Sequence, residues 1–412
     1  MLLSDQDRAM LSGRSGEAVR TAMELLIAVA ESEEAPALLD ISAAHIDGGL
    51  YHGEAGLDFA RDLVDGGGRV VVPTTLNVSS LDLLHPELYR GDPATAKAAR
   101  ALMEAYVAMG CAPTWTCAPY QLVARPGPGD QIAWGESNAI VFANSVLGAR
   151  TARYGDFLDI CCALTGRAPA TGLHTDEGRR ATLVVDLEVP DRMLDDDLFY
   201  AALGHALGEI AGAEVAVITG LDGRAGEDRL KSLGAAAASS GAVAMFHVAG
   251  VTPEAPTVAA ATQHRVPSRQ VTLGIPDLIR ARESLNHGEG PLGAISVGTP
   301  HFSIHELDHL GRMVAGKVSK VPFYVNTSRD VLDEVEHTGS IAAIEAFGAT
   351  IVTDTCTYIT PIMGDVDGRV MTNSAKWAFY APGNLGVGVV FAGLEACVSS
   401  AVSGRVEIGE VW

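Results

Sequence analysis

The chain has 412 residues, and 29 Lys and Arg against 51 Asp and Glu give it a formal charge of −22. A mean hydropathy of +0.19 excludes a disordered chain, and the acidic balance excludes nucleic-acid binding through a basic face. Six cysteines scattered over this length make no disulfide framework. The 45 glycines and an aromatic content of 6% point to close backbone packing, with enough chain for two or three domains' worth of core.

The N-terminus, MLLSDQDRAML, meets acids too early for a signal peptide. Ser15 reads as the cap of a helix through Ala18, Ala22, Leu25, Leu26 and Val29, closed by Pro36 and followed by a strand at 38–41. Residues 53–64 form a second amphipathic helix, stopped by Gly66, Gly67 and Gly68. The β-branched run at 69–72 predicts a strand buried on both faces. An Ala-rich helix spans 93–109, with Pro93 in its first turn, and another spans 156–165. Residues 182–189 and 215–221 read as strands, and Asp195, Asp196 and Asp197 open the helix between them. The most apolar stretch, 234–251, is dominated by Ala, Gly and Ser and interrupted by His247. It reads as a helix end, a turn at 239–241 and a buried strand, not a membrane span. From about residue 290, strands at 294–297, 322–325, 350–352 and 386–391 alternate with helices at 303–314, 329–337, 341–347 and 394–402. The pattern is that of an α/β protein with mostly parallel sheets, divided softly into an N-terminal region, 1–289, and a C-terminal lobe, 290–412. The expected location is the cytoplasm, where cysteines remain thiols or metal ligands.

Unusual polar residues gather just past the predicted strands: PTTLN at 73–77, GTPHFS at 298–303, NTSR at 326–329 and TDTC at 353–356. In open α/β sheets the ligand crevice lies outside the carboxyl ends of the strands. The densest segment, 106–156, holds Cys111, Trp115, Cys117, Trp134, Glu136, Asn138 and Asn144 among glycines and apolar residues. Amides and a carboxylate among aromatic residues are the usual lining of a small-molecule pocket. Asn138, Asn144 and Ser145 are poor helix formers inside an apolar, helix-like run, so propensity does not explain them. No P-loop, no H-E-x-x-H and no G-x-S-x-G occurs, and GLDGRAG at 220–226 is not the dinucleotide fingerprint.

The strings VPTTLN (72–77), PTWTCAPYQ (113–121), AWGESNA (133–139), FANSVLGARTARYGD (142–156), GTPHFS (298–303), DTC (354–356) and MTNSAKWAFYAPG (371–383) strongly resemble the large, catalytic part of the aconitase X family, over nearly the whole chain. The resemblance implies an aconitase-like, multi-lobed α/β/α fold. It implies a dehydratase of a small hydroxy acid that uses an iron–sulfur cluster as Lewis acid, with 2Fe–2S favoured and 3Fe–4S or 4Fe–4S open. Known family activities are dehydration of cis-3-hydroxy-L-proline to Δ1-pyrroline-2-carboxylate and dehydration of mevalonate 5-phosphate. Few Arg or Lys stand in the matched strings, which favours the amino acid over the phosphate. The family also has a small swivelling domain with a Ser-rich glycine loop. No such loop is found here, so a separate small subunit is the expected partner. A non-catalytic small-molecule binding protein is the alternative from another class.

Cys117 in a polar loop, Cys356 past a predicted strand and Cys397 in the first turn of a helix are suited to hold a cluster, and the resemblance implies the same three positions. Cys111, Cys161 and Cys162 read as packing residues. Glu136, Ser374 and Lys376 are the expected catalytic residues, Glu136 suiting a cationic ring amine and Lys376 a carboxylate or the cluster charge. Thr74, Thr75 and Asn77 are expected as carboxylate donors. Ser137, Asn138, Asn144, His52, His174 and Ser303 complete the expected substrate set. His301 reads as readily as an ordered, satisfied histidine, and His205 as core.

Overall fold

The structure, a computed structural model, describes residues 1–409 and Trp412, with Glu336 described in its backbone alone. The chain divides into two compact units, the first of residues 1–81 and 91–180, the second of residues 82–90 and 181–412. The division at 289/290 drawn from the sequence falls inside the second unit.

The first unit holds strands β1 (Leu38–Asp40), β2 (Ala43–Ile46), β3 (Thr74–Leu76), β4 (Ile132–Trp134) and β5 (Arg167–Pro169). A parallel sheet runs in the order β3-β2-β4, with His45 opposite Thr75 on one side and Trp134 on the other. β1 pairs antiparallel with β5. The helix Glu17–Ser32 buries Ala18, Ala22, Met23, Leu26 and Ala30, one stripe at helical spacing, and packs against the helix Leu158–Thr165. It starts one residue later than read: Gly16, at φ 102, is the N-cap in place of Ser15. The run at 69–72 is not a strand. Val71 is 63% exposed, and the backbone N–H groups of Val70 and Val71 donate to Met109 (2.9 Å) and Ala163 (2.9 Å). The ladder begins past Pro73, so the string TTL is itself the strand.

The second unit holds two wholly parallel sheets. β6 (Leu183–Glu188), β7 (Ala216–Thr219), β8 (Phe246–Val248) and β9 (Arg269–Gly274) run in the order β8-β7-β6-β9. β10 (Leu292–Phe302), β11 (Phe323–Thr327), β12 (Ala349–Val352), β13 (Arg369–Thr372) and β14 (Gly388–Phe391) run in the order β12-β11-β10-β13-β14. Ile295, Val297, Phe302, Leu307, Leu310, Val325, Phe347 and Met371 form the core of this sheet and its helices. β10 outruns the expected 294–297 and carries most of GTPHFS within itself, with a register shift between Val297 and Phe302. Among the described residues no helix is long and apolar enough to cross a membrane.

Candidate active site

Parallel strands of the first unit end in polar residues. Asp47 follows β2, Asn77 follows β3, and Glu136 stands two residues past β4. Asn77 is buried; its backbone N–H donates to the Ile46 carbonyl at 2.9 Å, and its Nδ2 donates to Asp47 Oδ1. The Asp47 backbone N–H donates in turn to Asp159 Oδ2 at 2.7 Å. Burial, with the charges of Glu136, Asp159 and Asp156 added, pushes the Asp47 carboxyl up to about 7. Burial also pushes Asp159 up to about 7, against the backbone N–H groups of Asp47 and Ile160. Only glycine fits at 135, because a Cβ there would stand 2.3 Å from Asp159 Oδ2.

Glu136 caps the helix Ser137–Phe142. Its Oε2 accepts from the Ala139 N–H at 2.7 Å and from Asn138 Nδ2, and its Oε1 accepts from Ser137 Oγ at 3.1 Å. Asn138 Nδ2 also donates to the Cys117 carbonyl at 2.9 Å, while Oδ1 accepts from Tyr120 Oη at 2.7 Å. The helix start thus pins the loop that carries Cys117.

In the second unit, Cys356 ends the buried segment 353–356 that follows β12. Thr353 donates through its N–H and hydroxyl to Asp82, at 2.8 and 3.0 Å. Asp354 accepts from Arg329 at 2.9 and 2.6 Å and from the Leu83 N–H at 3.0 Å. The Thr357 N–H donates to Asn326 Oδ1 at 3.1 Å, so Cys356 is held from both sides. Its Sγ lies 3.8 Å from His301 Nε2, which also stands 3.2 Å from the Thr355 carbonyl oxygen. Burial, aided by Lys231 and Lys376, lowers His301 to about 4, so the imidazole is neutral. Thr299 Oγ1, two residues from His301, is buried without a partner. A thiol, a neutral imidazole and an unpaired hydroxyl are donors that suit an iron–sulfur centre, so the residues fit the group the family implies. Each of these cysteines also follows, two residues on, a non-glycine residue held at positive φ: Trp115 (45°) before Cys117 and Asp354 (59°) before Cys356. Such strain gathers at functional loops.

Several expected site residues make hydrogen bonds within the fold. The Thr74 hydroxyl donates to the Val72 carbonyl at 2.9 Å, and that of Thr75 pairs with His45 Nδ1 at 2.8 Å. Asn144 closes the turn at 143–147: Nδ2 donates to the Thr151 carbonyl (2.9 Å), and Oδ1 accepts from Thr151 N–H (3.0 Å) and Arg179 (3.0 Å). Both ring nitrogens of His174 are engaged, by Gln131 at 2.6 Å and by the Tyr154 hydroxyl, and burial lowers it to about 4. Ser303 caps the helix Ile304–Val314, accepting from Glu306 N–H (3.2 Å) and donating to Asp228 (2.9 Å). Ser374 caps the helix Ala375–Leu385, accepting from the Trp377 N–H at 3.0 Å and donating to the Thr299 carbonyl. Cys397 is fully buried in the apolar core with Ile295, Phe302 and Leu307, where burial and Glu395 push its thiol up. Among the described residues it belongs to no three-residue group of potential metal ligands. Burial likewise raises Cys111 and Cys161 to about 12, and raises Cys162. His52 is exposed before the helix Glu54–Asp65, and Lys376 is buried in the first turn of its helix. Asp47 and Asp159 were missed; Asp47 carries a signal, an acid at a strand end followed by two glycines.

Models of the aconitase X family match the chain in three parts: the first domain over residues 1–177, the second over 181–283 and the third over 292–403. The chain is 45% identical over 409 residues to the cis-3-hydroxy-L-proline dehydratase of Pseudomonas aeruginosa, covering 98% of this chain and 70% of that protein. It is 43% identical to the enzyme of the same name from Hypocrea jecorina, covering 98% and 69%. It is 37% identical to the phosphomevalonate dehydratase large subunit of Methanothermobacter thermautotrophicus, covering 94% and 96%. The crystal structure of Thermococcus kodakaraensis aconitase X in its holo form matches with a TM-score of 0.88 at 34% identity, over 97% of this chain and 100% of that one. Fold and relatives together define a hydro-lyase, an enzyme that removes water from its substrate. The chain belongs to the aconitase X family.

Proposed function

We propose that the chain dehydrates cis-3-hydroxy-L-proline to Δ1-pyrroline-2-carboxylate in the cytoplasm, with Cys117 and Cys356 as ligands of an iron–sulfur cluster. The observation that carries the substrate is the acid–amide set at the strand ends of the first unit, Asp47, Asn77 and Glu136 with Asp159 behind them. Such a set suits a ring ammonium and repels a phosphate dianion. The relatives sharing 45% and 43% identity bear the hydroxyproline name.

Dehydration takes the proton from C2 and breaks the C3–O bond; water leaves, and the enamine tautomerises to the cyclic imine. The cluster, when bound, supplies a Lewis acid for the leaving hydroxyl. Glu136 balances the ring ammonium, and Lys376 balances the substrate carboxylate. The base is assigned to a small partner subunit. The name "large subunit" borne by the Methanothermobacter relative supports this.

The chain, loaded anaerobically and combined with its small partner, is assayed on both substrates. Turnover of cis-3-hydroxy-L-proline is expected, and turnover of mevalonate 5-phosphate alone overturns the assignment. Cys117→Ser and Cys356→Ser are expected to lose the visible charge-transfer absorption that Cys161→Ser retains. A Cys356→Ser protein that keeps its full spectrum removes that ligand.

A further inference from the structure

Asn77 Oδ1 is a buried acceptor without a partner, although its residue is only 2% exposed. The other end of the same amide donates to Asp47 Oδ1. Asp47 Oδ1 accepts from Nδ2, which turns the amide's own Oδ1 the other way. Asp47 is itself held in place. Its N–H is bound to Asp159 at 2.7 Å, a Cβ on Gly135 would stand 3.1 Å from its own Cβ, and a Cβ on the next residue, Gly48, would stand 2.4 Å from Tyr106 Oη. Buried acceptors left unpaired in a protein are uncommon and call for a donor.

We propose that Asp47 is a positioning residue. It fixes the Asn77 amide so that Oδ1 accepts an N–H from the substrate's ring nitrogen, and so selects cyclic amino acids over hydroxy acids lacking nitrogen. The proposal deepens the hydroxyproline reading and rests on it. Neither residue transfers a proton; the amide recognises a donor, and the carboxylate keeps the amide from turning.

The test is binding, measured by calorimetry on the cluster-loaded protein, of two ligands that differ at one ring atom. L-proline carries the N–H; tetrahydrofuran-2-carboxylate has oxygen in its place. The wild type is expected to bind L-proline at least tenfold more tightly, and Asn77→Leu is expected to lower that ratio at least threefold, the remaining preference being the charge that Glu136 balances. Asp47→Asn, whose amide lets Asn77 turn, is expected to do the same. It should also raise KM for cis-3-hydroxy-L-proline about tenfold, with kcat within threefold. Coupling separates positioning from mere loss of charge. In the Asn77→Leu background, Asp47→Asn is expected to change the ratio less than twofold, and a full, additive drop there overturns the proposal. Equal binding of both ligands by the wild type overturns it without any variant. A wild type that prefers L-proline, with the coupling intact, yet does not dehydrate hydroxyproline overturns the substrate reading and leaves the positioning role standing.

Discussion

Cys356 stands 3.8 Å from a neutral imidazole, whereas Cys397 is packed among Ile295, Phe302 and Leu307. Both are buried thiols in the same unit, with different surroundings. Cys397→Ala is expected to keep the cluster spectrum and to lower unfolding free energy by about 1–2 kcal/mol, the cost of a small cavity. Urea melts and a visible spectrum of the same sample check both halves. Loss of the spectrum would return Cys397 to the ligand set. The same contrast governs the hydroxyls and amides. Thr75, Asn144, Ser303 and Ser374 stood out in the sequence as candidate site residues, and each makes a hydrogen bond within the fold. A sequence shows that a polar group sits where a ligand binds. It does not show whether a backbone group a few ångströms away has already taken it.

Elements meet in this chain at glycines. The helices Asp197–Ala211 and Glu227–Ser240 pack closely, and a Cβ at Gly204 would stand 2.1 Å from the Leu233 carbonyl oxygen, with one at Gly208 2.6 Å from that of Ala237. Backbone cannot retreat as a flexible side chain can. Gly204→Ala is therefore expected to cost about 1–3 kcal/mol through overpacking, while Gly223→Ala, which meets nothing within 4 Å, leaves the urea midpoint near that of the wild type. The abundance of glycine in the composition was legible as close packing, but the paired helices were not. The first helix, Asp5–Leu11, is tied down by Asp7, which caps it with Ser4 and receives Arg167 of β5 at 2.9 Å. Asp7→Ala leaves that guanidinium buried with less compensation and is expected to cost about 3 kcal/mol, read as a shift of the unfolding midpoint. A contact across 160 residues has no local signature.

At the scale of the molecule, the charge of −22 describes the outer surface, while buried acids shape its response to pH. The Asp159 carboxyl, fully buried, is pushed from 3.8 up to about 7, so between these values the folded protein holds a proton that the unfolded chain has lost. Its contribution is fully present below pH 3.8 and falls away as pH rises through 7. One such group gives a slope of roughly 1.4 kcal/mol per pH unit at most. Asp159→Asn, which keeps an oxygen to accept from the Asp47 N–H, is expected to flatten stability between pH 5 and 7 relative to the wild type. Parallel slopes in the two proteins would mean that Asp159 is ionised throughout.

The sequence alone determined the alternation of strands and helices in the C-terminal third, because apolar periodicity and helix caps are local properties. It also determined the family, because long strings such as PTWTCAPYQ and MTNSAKWAFYAPG carry identity whatever they touch. Only the tertiary structure moved the strand from 69–72 to Thr74–Leu76, since that run spends its backbone N–H groups on Met109 and Ala163. Only it placed His301 beside Cys356 and an apolar core around Cys397. Only it joined Asp47, Asn77, Gly135 and Asp159, residues far apart in the chain that meet where parallel strands end. Proton affinity, burial and the pairing of a hydrogen bond depend on neighbours brought together by folding, and those neighbours are not written beside the residue they govern.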